Sequence, residues 1–303
     1  MASRKRRAFR GRVVYAVLTA CGAIVRRLPL SIVRVLGAIL GTVGYSIAIG
    51  ERRRAIANIA RAFPEWPRKQ HKRTIRATFR HLGISVFELL WLPNLDTKLH
   101  ETTVYEGTDK LLELIDAGRA CIVFTAHVGN WEWLCYGSGK LGRPTAVLQR
   151  ERNEADINRF ITELRARAGV RTIDRGSTGS ARELLQATKR GGILAFLIDQ
   201  NLRTESVKVP FFGIPSPTPI GPAKLAIRSE AIAIAGFVER LPDGRHLIRF
   251  HEPIECKRDD DPIALTARMT EIIEAQIRRL PEQWVWMHDR WRERPKWDVT
   301  PVA

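Results

Sequence analysis

The chain of 303 residues is 45% hydrophobic and 27% charged, enough apolar content for one large core, which excludes a disordered chain. Cys21, Cys121, Cys135 and Cys256 form neither a C-x-x-C pair nor a close-spaced framework, which excludes a disulfide-stapled domain and suits reduced packing residues facing the cytosol. The formal net charge of +18 lies at one end: residues 1–80 hold 19 of the 50 Lys and Arg but only Glu51 and Glu65 of the 32 acids, so the remainder is nearly neutral.

In chain order, Arg4-Lys5-Arg6-Arg7 precedes the apolar run Val13–Val25, and a second charge-free run covers Val35–Ile49, with Arg26, Arg27 and Arg34 between them. Neither run reaches the ~20 residues of an unassisted span, and no convincing small-residue cleavage site marks a signal peptide. The pattern predicts a basic membrane-anchoring segment over residues 1–50, amphipathic or single-span, held against an anionic membrane surface with its basic flanks in the cytoplasm. A buried helical hairpin is the alternative. Residues 51–99 are predicted as a helical N-terminal region, with apolar residues at helical spacing over 54–63 and a break at Pro64 and Pro67.

From about residue 100 the pattern changes. Short β-rich runs at 120–125, 144–149, 170–173, 193–198, 231–237 and 246–250 alternate with amphipathic stretches at 108–117, 154–168, 178–190, 222–229 and 262–280. This predicts an α/β domain over 100–303, a mainly parallel sheet flanked by helices on both faces. Phe211–Pro219 is predicted as a rigid apolar loop that either lines a groove for a lipid chain or packs on the core. The aromatic segment from Pro281 to His288 runs into the basic stretch Arg290-Trp291-Arg292-Glu293-Arg294-Pro295.

The expected reaction centre is His127-Val128-Gly129-Asn130-Trp131-Glu132, directly after the run Ala120–Thr125. An open α/β sheet presents its chemistry at the carboxyl ends of its strands. On a continuous helix, residues five apart lie roughly 140° apart, so His127 and Glu132 share a face only if the chain turns at Gly129-Asn130. Asp199 in Ile198-Asp199-Gln200-Asn201 follows another predicted strand, so His127 has two candidate carboxylates at one sheet edge.

Other chemistries are set aside. Gly137-Ser138-Gly139-Lys140 lacks the P-loop's first glycine and its Ser/Thr, no G-x-S-x-G elbow occurs, and the seven histidines make no supported zinc pattern. No metal, tightly bound cofactor or covalent nucleophile is expected. A nucleic-acid partner is not expected either, because the basic residues flank apolar runs and the body is neutral.

Together these segments resemble the bacterial lipid A biosynthesis acyltransferases, the late lauroyl/myristoyl-type enzymes of the wider glycerolipid acyltransferase superfamily. The resemblance runs over about residues 13–297. It rests on the Arg54…Asn58…Ala62-Phe63-Pro64-Glu65 box, His127-x-x-x-x-Glu132, Arg150, Arg165 four before Gly169, Asp199-Gln200, Phe211-Phe212-Gly213 and the Pro281-Glu282-Gln283-Trp284-x-Trp286-x-His288 ending. It implies a glycerolipid-acyltransferase-like fold and transfer of a fatty acyl group from an acyl-carrier-protein thioester to a glycolipid hydroxyl at the cytoplasmic face of the inner membrane. Some members acylate mannosylated phosphatidylinositol from acyl-CoA. On this resemblance His127 is the general base. Glu132 is favoured over Asp199 to hold its other ring nitrogen, and Arg165, Arg150 and Asn130 are substrate-binding candidates. A thioesterase with water as acceptor is the rival that shares these groups.

Overall fold

The computed structural model describes residues 2–150, 155–175 and 179–292. The Arg4–Arg7 and Arg150 side chains, Gly176-Ser177-Thr178 and the stretch from Glu293 onward, including Glu293-Arg294-Pro295, lie outside the described residues. Helices α1 (Ala2–Val25), α2 (Leu30–Ile47), α3 (Ile49–Ala62), α4 (Arg68–Trp91) and α5 (Leu95–Thr102) come first. The body follows as β1 (Thr103–Glu106), α6 (Thr108–Asp116), β2 (Ala120–Thr125), α7 (Trp131–Gly139), β3 (Thr145–Arg150), α8 (Ala155–Arg167), β4 (Val170–Arg175), α9 (Ser180–Lys189) and β5 (Gly192–Leu197). It closes with β6 (Ser206–Phe211), β7 (Ile214–Pro219), α10 (Gly221–Ser229), β8 (Ile232–Arg240), β9 (His246–Phe250), β10 (Ile254–Glu255) and α11 (Pro262–Arg279).

The main sheet runs β1-β9-β8-β2-β5-β3-β4, with β10 beside β8. Strands β8, β2, β5, β3 and β4 are parallel neighbours, whereas β9 is antiparallel to β8 and carries β1 parallel to itself. The expected mainly parallel sheet between helical layers is borne out. Alternation along β2 shows why its sequence reads as a continuous apolar run: Cys121 and Val123 face a layer that includes Trp133 and Leu164, while Ile122 and Phe124 face Ala226 and Met269. Both faces are covered, so polar residues have no place in it.

The stretch Phe211–Pro219 corrects the expectation of a loop. It joins an antiparallel hairpin of β6 and β7, turning at Phe212-Gly213, both at positive φ. Pro215, Pro217 and Pro219 alternate along β7, so their missing N–H groups fall on one edge of the strand, and a two-stranded ribbon leaves such an edge unpaired.

Helices α2 and α4 pack closely at Gly37, Gly41 and Gly83, where a Cβ on Gly41 would lie 2.2 Å from the Phe79 carbonyl oxygen. Small residues let the two backbones approach. Helix α2 is long and apolar enough to cross a membrane, with only 17% of it buried. Val35, Ile39, Val43 and Ile47 on α2 and Val13, Val17 and Ile24 on α1 are exposed, an apolar surface that the body leaves uncovered.

Candidate active site

The site forms where β2 and β5 end side by side. Their parallel register pairs Thr125 with Leu197, and the Ile198 amide continues the ladder by donating to the Thr125 carbonyl. Two residues beyond the last paired rung, His127 meets Asp199. The ring nitrogen Nδ1 is 2.8 Å from Asp199 Oδ1, and the His127 backbone N–H donates to Oδ2 at 2.9 Å. Trp284 Nε1 donates to the same Oδ2 at 2.8 Å. The Asp199 side chain is 1% exposed and that of His127 17%, so the carboxylate is enclosed while the imidazole reaches the surface.

Burial alone would push the Asp199 carboxyl up, but the His127 ring and the hydrogen bonds from His127 and Trp284 outweigh it and hold the group at about 2. The acid is therefore ionised. Against this anion Nδ1 is the donor, so in the neutral ring Nε2 is the acceptor. Trp131 meets the His127 ring edge-on, with centroids 5.0 Å apart.

The turn between β2 and α7 is fixed residue by residue. Val128 pairs with Trp284, and the Gly129 amide donates to the Gln283 carbonyl at 2.9 Å. Gly129 has φ 63° and its Cβ position lies 1.9 Å from the Val238 carbonyl oxygen, so only glycine fits. Asn130 caps α7, accepting from the Trp133 amide at 3.3 Å.

Glu132 does not hold His127, which corrects the favoured assignment. Helix α7 begins at Trp131, so Glu132 lies on its first turn and faces α8, where Arg165 grips it with Nε at 2.9 Å and Nη2 at 2.6 Å. Arg165 Nη1 also donates to Gln149 at 2.7 Å. Burial opposes the Arg165 charge, and Glu132 outweighs that and holds its pKa above the ordinary value. Asn130, expected to touch substrate, is buried, and its amide donates to Glu88 at 3.0 Å. Arg150 ends β3.

Sequence reasoning missed the roles of Trp284, Gln283 and Glu88. The first two lie in the aromatic ending it had marked. Glu88 is the one acid of α4, among eight Lys, Arg and His residues in that helix's sequence, and that isolation was its signal.

The family model for bacterial lipid A biosynthesis acyltransferases matches residues 2–293. The chain is 25% identical over 282 residues to the lipid A biosynthesis lauroyltransferase of Escherichia coli K12, covering 90% of this chain and 89% of the relative. It is 27% identical over 277 residues to the palmitoleoyltransferase of the same organism, covering 89% and 88%. A phosphatidylinositol mannoside acyltransferase of Mycolicibacterium smegmatis is 27% identical over 243 residues, 77% of each chain. With a match that runs from the first helix through the segment carrying Trp284, this chain is an acyltransferase and belongs to the bacterial lipid A biosynthesis acyltransferase family.

Proposed function

We propose that the chain moves a fatty acyl group from an acyl-carrier-protein thioester to a hydroxyl of a lipid A-type glycolipid precursor, at the cytoplasmic face of a bacterial inner membrane. The observation that carries the mechanism is the His127–Asp199 pair at the sheet edge. His127 Nε2 takes the proton of the acceptor hydroxyl as its oxygen attacks the thioester carbonyl. The tetrahedral intermediate collapses, the C–S bond breaks, and the thiolate recovers the proton from the imidazolium. Asp199 stabilises that imidazolium. Proton transfer of this kind is typically worth ~10²–10⁴-fold.

The oxyanion requires donors. The His127 and Gly129 amides are engaged with Asp199 and Gln283, and Arg165 is held by Glu132 and Gln149. The amides of Trp131 and Glu132, in the first turn of α7, are therefore the donors of choice, because the first amides of a helix have no partner within it.

A cleft of about 380 Å³ lined by Leu148, Leu184, Phe196, Leu197 and Leu225 begins at the residues preceding Asp199 and suits the acyl chain. The exposed apolar residues of α1 and α2 support anchoring by residues 1–50. Exposed Arg68, Lys72, Arg76 and Arg80, one turn apart on α4, suit an anionic membrane surface. Residues 51–99 then bridge that anchor to the acyltransferase body at 100–303.

The test is mass spectrometry of the full chain incubated in membranes with acyl-carrier-protein thioester and tetra-acylated lipid A precursor, wild type beside His127→Ala. A new acyl-addition mass from wild type alone is expected. Thioester consumption without acylated glycolipid would instead mark a thioesterase. The mycobacterial likeness makes acyl-CoA with a phosphatidylinositol mannoside the second donor and acceptor pair; transfer with that pair alone would overturn the lipid A reading.

A further inference from the structure

Glu88 on α4 is fully buried, and donors surround it. Oε1 receives Arg34 Nε at 2.7 Å, His246 Nε2 at 3.1 Å and Arg240 Nε at 3.3 Å; Oε2 receives Arg240 Nη2 at 2.7 Å and Asn130 Nδ2 at 3.0 Å. Arg240 also donates to His81 Nδ1 at 2.6 Å and to Ser85 at 3.1 Å. The cluster thus touches the His127 turn at Asn130.

On its other side it holds α2. Arg34 is the sole charged residue in Leu30–Ile47, and the exposed flank of that helix is apolar. A charge in such a helix is costly unless it is paired. A buried ion cluster is also a weak stabiliser compared with apolar packing of the same volume, so packing energy does not account for it. Its geometry is a continuous chain of hydrogen bonds from Arg34 on α2 through the Glu88 carboxylate to Asn130, which caps α7 three residues after His127.

We propose that Glu88 is a positioning residue for the His127 turn and that, through Arg34, it ties the geometry of that turn to the seat of α2. The proposal rests on His127 as the base. Displacing a reacting group by about 1 Å is enough to cost ~10²-fold in rate.

The experiment uses the full chain in detergent micelles as wild type, Arg34→Met, Asn130→Asp and the double variant. Asp at 130 keeps an acceptor for the cap but sets a second carboxylate against Glu88. Two readouts are taken: acyl-transfer kinetics, and the rate of carbethoxylation of His127 relative to exposed His100, resolved by peptide mass mapping. Each single variant is expected to lower kcat by about tenfold or more with KM within about threefold. Each should also change the His127/His100 labelling ratio by about threefold or more, and the double variant should go no further than the worse single one.

A merely structural cluster lowers the unfolding midpoint but leaves kcat per folded molecule and the labelling ratio as in wild type. That result in Arg34→Met, or effects that multiply in the double variant, overturns the proposal. If wild type transfers no acyl group, the functional reading falls, and the labelling ratio alone still decides the linkage.

Discussion

His127 and Asp199 stand 72 residues apart in sequence and 2.8 Å apart in space because their strands end level with one another. The carboxylate holds both the ring and the backbone N–H of the same histidine, so it fixes the tautomer and the position of the proposed base together. Asp199→Asn is isosteric, yet its amide faces a ring nitrogen that already carries a proton. The expected outcome is a loss of ~10²–10⁴-fold in kcat with the fold retained, matching His127→Ala within about tenfold. Steady-state transfer assays beside circular dichroism check it; an Asp199→Asn enzyme with near-wild-type turnover would remove Asp199 from the mechanism.

Glu132 and Arg165 act on each other rather than on His127. Both are buried to within about a tenth of their side-chain surface, so removing one strands the other's charge. Glu132→Gln should cost about 3–5 kcal/mol of unfolding free energy, whereas the apolar pair Glu132→Leu with Arg165→Met should recover most of it. Denaturant unfolding of the single and paired variants measures both numbers. Equal destabilisation by the pair would mean the two residues do more than neutralise each other.

The body of the fold was legible because its central strands are covered on both faces: Cys121-Ile122-Val123-Phe124 has no polar gap and ends abruptly at His127. The β6–β7 hairpin was not, since prolines at 215, 217 and 219 argue against a strand until one sees that they share an unpaired edge. The two carboxylates were equally visible near His127. Choosing between them required the register of β2 against β5 and the starting residue of α7, neither of which is encoded within six residues of the histidine. The Glu88 cluster draws partners from α2, α4, β8, β9 and the turn after His127, so no local pattern could announce it.

The turn that carries His127 has one position with no tolerance. Any side chain at 129 must adopt a positive φ and also displace the Val238 carbonyl, which a Cβ would meet at 1.9 Å. Gly129→Ala is expected to cost about 2 kcal/mol or more in stability and to abolish transfer, because the same distortion carries His127 away from Asp199. Gly142→Ala is the control: it has a similar φ of 71° but nothing within 4 Å, so it should lose stability to backbone strain alone and keep its turnover. Unfolding midpoints and transfer rates of the two variants separate clash from strain.

The cleft beside Ile198 sets a further expectation. Leu225 lines it from α10, and a tryptophan there takes up space otherwise open to the last methylenes of a chain. Leu225→Trp should shift the preferred acyl group to a shorter one, with kcat/KM for the longest wild-type substrate down by roughly tenfold or more and that for shorter chains changed little. Competition among thioesters of different length, read by mass spectrometry, measures the shift. A uniform loss across all lengths would place the chain elsewhere.

Stability should fall on acidification in two stages. His81 is buried, and burial together with the Arg240 charge pushes it down to about 3, against an ordinary value of 6.5. Below 6.5 the unfolded chain therefore takes up a proton that the folded chain refuses until about 3, so unfolding is favoured progressively over that interval. His246 is shifted in the same direction by burial and adds to this first stage. Asp199 behaves as a depressed acid: its contribution is complete above 3.8 and disappears as pH falls towards about 2, and Glu88, held well below 4.5, acts likewise. The urea midpoint of the wild type should thus decline from about pH 6.5 downward and steepen below about 4. His81→Gln should shrink the first stage, leaving the His246 part of it, and leave the second unchanged. A wild-type midpoint that is level between pH 7 and pH 5 would mean that the buried histidines are charged in the folded chain, with Glu88 as their counter-ion.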